Sequence, residues 1–221
     1  MKKYIVLGIL FVLPIVVYMF FASGVNNFGK LPVLHEGVVA PSGKGVSFEN
    51  SITILGFPGE NLELKKTNVF NLNQKIYKRF NGFEDLQFIM LLPEGTANQV
   101  EALKEELGRI SDVSNWNFIA LPEAEIQAVF NSLGTPLSLD KHMGCDQVFI
   151  IDKKNRLRGR DKDDNDEPLY GYDATSVAII NNKMVDDVKV ILAEYRLSLK
   201  ENNEGAPRGR NSILKKVNTN E

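Results

Sequence analysis

The chain is poor in sulfur. Its 221 residues hold a single cysteine, Cys145, so no disulfide can close within it. Thiol–disulfide exchange needs a thiolate and a second sulfur to resolve the mixed disulfide, and that pair is missing. Charge of one sign is scarce too: 26 Lys and Arg stand against 28 Asp and Glu. The resulting net charge of −2 leaves no basic footprint for nucleic acid. No repeat of solenoid period is present. Phosphate-binding loops, nucleophile elbows and HExxH zinc motifs are absent as well. Of the two histidines, His35 stands alone and supports no site. No base–nucleophile pair can be placed, so no catalytic residue is assigned, no cofactor is expected, and an enzyme is the least supported class.

What is abundant lies at the front. "MKK" precedes "YIVLGILFVLPIVVYMFFA", Tyr4 to Ala22, a run without charge. At 1.5 Å rise per residue such a run matches the roughly 20 residues that a bilayer core demands of a helix. Lys2 and Lys3 would stay in the cytoplasm by the positive-inside preference. The expectation is an N-terminal transmembrane helix over residues 1–23, with the remainder on the outer, periplasmic side. A cleaved secretory signal is the alternative; its apolar core is usually about 7–15 residues, and the greater length here favours an uncleaved anchor.

Behind it, residues 24–50 read as a Gly-, Pro- and Asn-rich spacer and domain lead-in, with a short strand expected at Gly37–Ala40. "SITILGF", "LQFIMLL", "WNFIAL" and "QVFIID" are continuous apolar runs of buried-strand type. Between them lie stretches with apolar residues at helical spacing, such as Val100, Leu103, Leu107 and Ile110 behind a Thr96 N-cap. "KKN" turns the last strand into "RLRGR" as an antiparallel hairpin, and Asn182–Lys200 forms a long amphipathic helix. The order βαβαβα–ββ–α predicts an α/β domain over residues 51–200: a central mixed sheet flanked by helices, of thioredoxin-like type. Residues 201–221, with Arg208, Arg210, Lys215 and Lys216, read as a disordered tail.

"ITILGFPG" and "DQVFIIDKKNRLRG" resemble two segments of the Sco/SenC family, copper-binding assembly factors of cytochrome c oxidase. There a "GFTxCPxxCP" stretch follows the first central strand. Laying Gly56-Phe57 on that pattern puts Glu60 at the first cysteine and Leu64 at the second. The family's third ligand, a histidine ahead of the hairpin, falls on Gly144, while His142, Met143 and Cys145 surround the gap. The resemblance therefore implies a degenerate member without the CxxxC thiols. A carboxylate is a harder ligand than thiolate and leucine is none, so copper cannot be held there in the family's manner.

Three readings follow. A redox-inactive accessory protein would assist copper-centre assembly by binding an oxidase subunit or copper chaperone. A Cu(I) carrier would use the soft donors His142, Met143 and Cys145; against it, Met143 and Cys145 are residue types that pack in cores. A general envelope binding module would share only the fold. "RLRGRDKDDNDEPLYGYD" sets Arg158, Arg160, Tyr170 and Tyr172 beside charge, a composition expected of an interaction surface or of an ordinary edge loop. Asp161, Asp163 and Asn165 have EF-hand-like spacing, but Asp166 and Tyr172 replace the required Gly and Glu, which indicates a solvated loop.

Overall fold

A computed structural model describes residues 2–22, 29–42 and 45–205. Among the described residues there are seven strands: β1 (Val33–His35), β2 (Ile52–Gly56), β3 (Leu86–Pro93), β4 (Trp116–Leu121), β5 (Gln147–Ile151), β6 (Leu157–Arg158) and β7 (Tyr172–Asp173). They lie in the order β1-β6-β5-β2-β3-β4, with β7 paired to β5. β2, β3 and β4 run parallel, whereas β5 joins β2 antiparallel through Thr53↔Ile151 and Leu55↔Phe149. β2 is thus a middle strand. Every one of its residues is buried, which is why its sequence shows no alternation.

Helices cover both faces of the sheet. Helix α1 is Lys2–Ala22, α2 Leu62–Leu72, α3 Ala97–Gly108, α4 Glu123–Asn131 and α5 Val185–Gly205. Ile52, Ile54, Phe88, Met90 and Ile150 pack with Val69 and Leu72 of α2, Leu103 of α3 and Val188 of α5. On the opposite face Leu55, Ile89, Leu91 and Phe149 meet Ile126, Val129 and Phe130 of α4. This is a thioredoxin-like mixed α/β fold, as the order of elements predicts. A π-helical turn, Asn73–Tyr77, follows α2, and another, Ile180–Met184, precedes α5. The two π turns pack against each other.

Three expectations need correction. The lead-in strand is Val33–His35, not Gly37–Ala40, because Gly37 turns into the left-handed region at φ +78° and ends extended backbone. Leu31, Val38 and Phe48 are core residues, so this lead-in is part of the packed body. Thr96 occupies the N-cap position of α3, but its hydroxyl donates to the Pro93 carbonyl at 2.9 Å and makes no capping hydrogen bond.

The membrane-spanning anchor, and with it the single-pass periplasmic localisation, is also corrected. Among the described residues no helix is long and apolar enough to cross a membrane. Helix α1 runs over Lys2–Ala22 with Pro14 inside it. The disordered tail expected over residues 201–221 begins within helix α5, which runs to Gly205. Residues 206–221, including Arg208, Arg210, Lys215 and Lys216, lie outside the described residues.

Candidate functional site

The segment after Phe57 lies at the carboxyl end of β2, between two neighbouring strands, where helix α2 begins. Asn61 caps that helix, its Oδ1 accepting the Leu64 N–H at 3.4 Å. Gln99 of α3 secures the turn by accepting the Leu62 N–H and donating to the Glu60 carbonyl, both at 3.0 Å. Glu60 therefore sits just before the cap and Leu64 in the first helical turn. Both point into accessible space: Leu64 is 77% exposed, and about half of the Glu60 side chain is open.

Residues 140–145 fold onto this junction. Pro58 and Gly144 form an antiparallel bridge, Cys145 donates its N–H to the Phe57 carbonyl at 2.7 Å, and Glu60 donates to the His142 carbonyl at 3.0 Å. Asp140 shapes the loop, its Oδ1 accepting the His142 and Gly144 N–H groups at 2.8 Å each. Burial works against a charge at Asp140, but the Gly144 and His142 amides, helped by Lys65 and His142, hold its carboxyl below the usual range. The outcome is a direct side-chain contact between His142 Nδ1 and Glu60 Oε1.

The structure thus brings together two positions that the sequence comparison treated separately. Where the family pattern has a thiol and a nearby imidazole, this chain has a carboxylate bonded to an imidazole. Met143 beside it adopts φ +59°, a left-handed conformation uncommon for a side-chain-bearing residue. Cys145 is half-buried, its Sγ accepting the Gln147 N–H at 3.4 Å. Burial pushes its thiol up, outweighing the Gln147 amide, and the Asp146 carboxylate pushes the same way. Among the described residues, no group of three His, Cys, Asp or Glu side chains is placed to hold a metal ion.

Three contributors escaped sequence reading. Asp140 two residues before His142 is the signal of an Asx turn. Asp146 binds Lys65 at 2.5 Å and Asn68 at 3.1 Å, tying α2 to the start of β5. Gly59 has φ +78°, and a Cβ there would meet the His142 carbonyl oxygen at 2.7 Å and Gly144 backbone at 3.0 Å. Gly59→Ala should therefore lose about 2 kcal/mol or more, from left-handed strain plus the clash. Thermal unfolding checks this, and an unchanged melting temperature would show that the loop does not dock as described.

The interaction surface expected at Arg158, Arg160, Tyr170 and Tyr172 is corrected. Arg158 is 1% exposed and Tyr172 is fully buried, while Arg160 and Tyr170 are half-buried. Arg158 bonds the Leu31 carbonyl, Asp152 at 2.9 Å and Glu194 at 2.6 Å. Tyr172 donates to Asp187 at 2.7 Å, and burial, then the Asp187 charge, pushes its hydroxyl up. Arg160 meets the same carboxylate at 2.8 Å. In the acidic loop that follows, Lys183 binds Asp163 and Asp164, and the exposed Lys162 pairs with Asp166 within the loop itself. These charges hold elements together; a partner cannot reach the two buried residues.

No protein-family model matches the sequence, and no curated protein matches it. Solved structures are similar. BsSco, a member of the Sco family of cytochrome c oxidase assembly proteins, aligns at 14% identity with a TM-score of 0.49, over 74% of this chain and 96% of that one. The soluble domain of a Sco protein from Bacillus subtilis aligns at 17% identity and TM-score 0.43, over 72% and 94%. The thioredoxin domain of a thiol-disulfide oxidoreductase from Bacteroides vulgatus gives 12% and 0.38, over 69% and 94%. The fold assignment rests on the strand order and the junction at β2, which stand without these likenesses.

Proposed function

We propose that the chain is a redox-inactive accessory protein that binds a protein partner at the junction formed by Phe57–Leu64 and residues 140–145. One observation carries this reading: Glu60 and His142 bond each other at the vacated thiol position, beside an outward-facing Leu64. Electron transfer through sulfur has no route there. An exposed leucine beside a hydrogen-bonded Glu–His pair is instead an apolar anchor with a polar rim, the composition of contact surfaces. The respiratory setting, help to cytochrome c oxidase copper-centre assembly through an oxidase subunit or copper chaperone, rests on the resemblance of "ITILGFPG" and "DQVFIIDKKNRLRG".

A photo-crosslinking side chain at Leu64, used in the native host, tests the surface. A defined oxidase subunit or copper chaperone should be captured there and not with the same group at Glu84, an exposed position next to the amino end of β3. Equal capture at both positions would argue against the junction as a binding site. The Cu(I)-carrier reading keeps one supporting fact, the adjacency of His142, Met143 and Cys145 in the docked loop. It requires that Cu(I) affinity fall in Cys145→Ser; competition with a chromophoric chelator measures that.

A further inference from the structure

The two edges of the sheet are built differently. β1 is three residues long, follows Pro32 and shows a register shift against β6. Shortness, proline and irregularity are the devices that keep an edge from pairing further. β4 has none of them. Its six residues, "WNFIAL", carry no charge, no proline and no glycine, and they pair with β3 in unbroken register from Phe88↔Trp116 to Pro93↔Leu121.

The direction of each β4 amide follows from that register. Phe88 donates its N–H to the Asn115 carbonyl, so the odd-numbered residues face β3 in the parallel ladder. Trp116, Phe118 and Ala120 then direct their peptide groups away from the sheet. Trp116 confirms this, because its N–H is taken by the Val113 carbonyl at 3.0 Å. Phe118 and Ala120 present an N–H and a C=O each along the edge. Among the described residues, β4 has no strand partner other than β3.

We propose that this edge pairs antiparallel with β4 of a second copy of this chain. Alternation permits pairing only between outward-facing residues, and placing Phe118 opposite Ala120 satisfies all four of their peptide groups in each copy. That register is self-complementary in shape, since a large ring meets a methyl group twice across the two-fold axis. No like charges oppose each other on the strand itself. Trp116 would then lie opposite Pro122, which has no N–H, and pairing stops. A surface this short makes a weak, concentration-dependent dimer. The inference is independent of the partner-binding junction, which lies at the end of β2, and either can fail alone.

The test uses the full chain over about a hundredfold range of concentration, by sedimentation velocity and by amide exchange. With rising concentration, the sedimenting mass should increase and the Phe118 and Ala120 amides should slow by roughly tenfold or more. Ile119 and Leu121 amides, already bonded to β3, should stay slow throughout. Ala120→Pro removes an outward N–H and no ladder bond, a substitution that edge strands accept, and it should abolish the association. Should Ala120→Pro misfold, Ala120→Lys keeps the amide and brings like charges across the axis, with the same expected loss. The proposal is overturned if the chain stays monomeric. It is equally overturned if association survives these variants, or if Phe118 and Ala120 exchange at one rate at all concentrations.

Discussion

Replacing Arg158 with methionine should destabilise the fold by about 3–5 kcal/mol, the usual cost of stripping one partner from a buried ion pair. The guanidinium is the hub of a closed network. It binds the Leu31 carbonyl in the lead-in, Asp152 at the end of β5 and Glu194 of α5. Arg156 also holds Asp152, through Nε at 2.9 Å and Nη2 at 2.7 Å. Methionine fills similar length but offers no donors, leaving a buried carbonyl without its partner and two carboxylates with fewer. For a chain of this size the loss corresponds to about 6–20 °C in melting temperature. The exposed Glu105–Arg109 pair is the control: Arg109→Ala should change stability by about 0.5 kcal/mol or less. A melting temperature for Arg158→Met within a degree or two of that control would refute the network's role.

The same network sets an acid limit. Burial disfavours the Asp152 charge, but hydrogen bonds from Arg156 and Arg158 overcome it and hold the carboxyl below its usual range. The unfolded chain therefore binds the proton more readily than the folded one. The stabilisation is complete above the ordinary aspartate pKa of about 3.9 and is lost as pH falls through the lowered folded value. Arg158→Met should flatten the acid limb of the stability curve.

A gain of chemistry is the second large effect. The double variant Glu60→Cys/Leu64→Cys should acquire what the wild type lacks, a dithiol able to close as a disulfide or to bind Cu(I). Both side chains are exposed enough to exchange without disturbing the core. The second substitution falls in the first turn of α2, where the helix N-terminus favours a thiolate. His142, which already reaches Glu60, would supply a third donor, and two thiolates with an imidazole suit Cu(I). Chelator competition should show tight Cu(I) binding in the double variant, weakened by added His142→Ala, and none in either single variant. A double variant with neither disulfide nor copper would mean that the junction does not preserve the geometry.

Much of this architecture was legible because buried strands announce themselves. "ITILG" and "FIMLL" are apolar on both faces, and only a strand between two helical layers needs that. The "KKN" turn announced the two-residue strand Leu157–Arg158, whereas Tyr172–Asp173 has neither alternation nor a tight turn joining it to β5 and read as loop. Arg158 read as surface for another reason. Its burial depends on a carbonyl 127 positions earlier and a carboxylate 36 positions later, which no local composition encodes. At the site, alignment of Gly56-Phe57 located Glu60 and Leu64. The bond between Glu60 and His142, 82 residues apart, required the docked loop to become visible. Gly59 and Asp140, which make that docking possible, act through backbone conformation and carry no signal of their own beyond turn chemistry.

The contact role is tested most directly by cytochrome c oxidase activity in cells whose sole copy of this chain carries either Cys145→Ser or Leu64→Asp, at matched protein levels. Function by contact at the β2–α2 junction predicts wild-type activity for Cys145→Ser and a severe loss for Leu64→Asp. Full activity with Leu64→Asp, together with loss in Cys145→Ser, would contradict it and return the chemistry to sulfur.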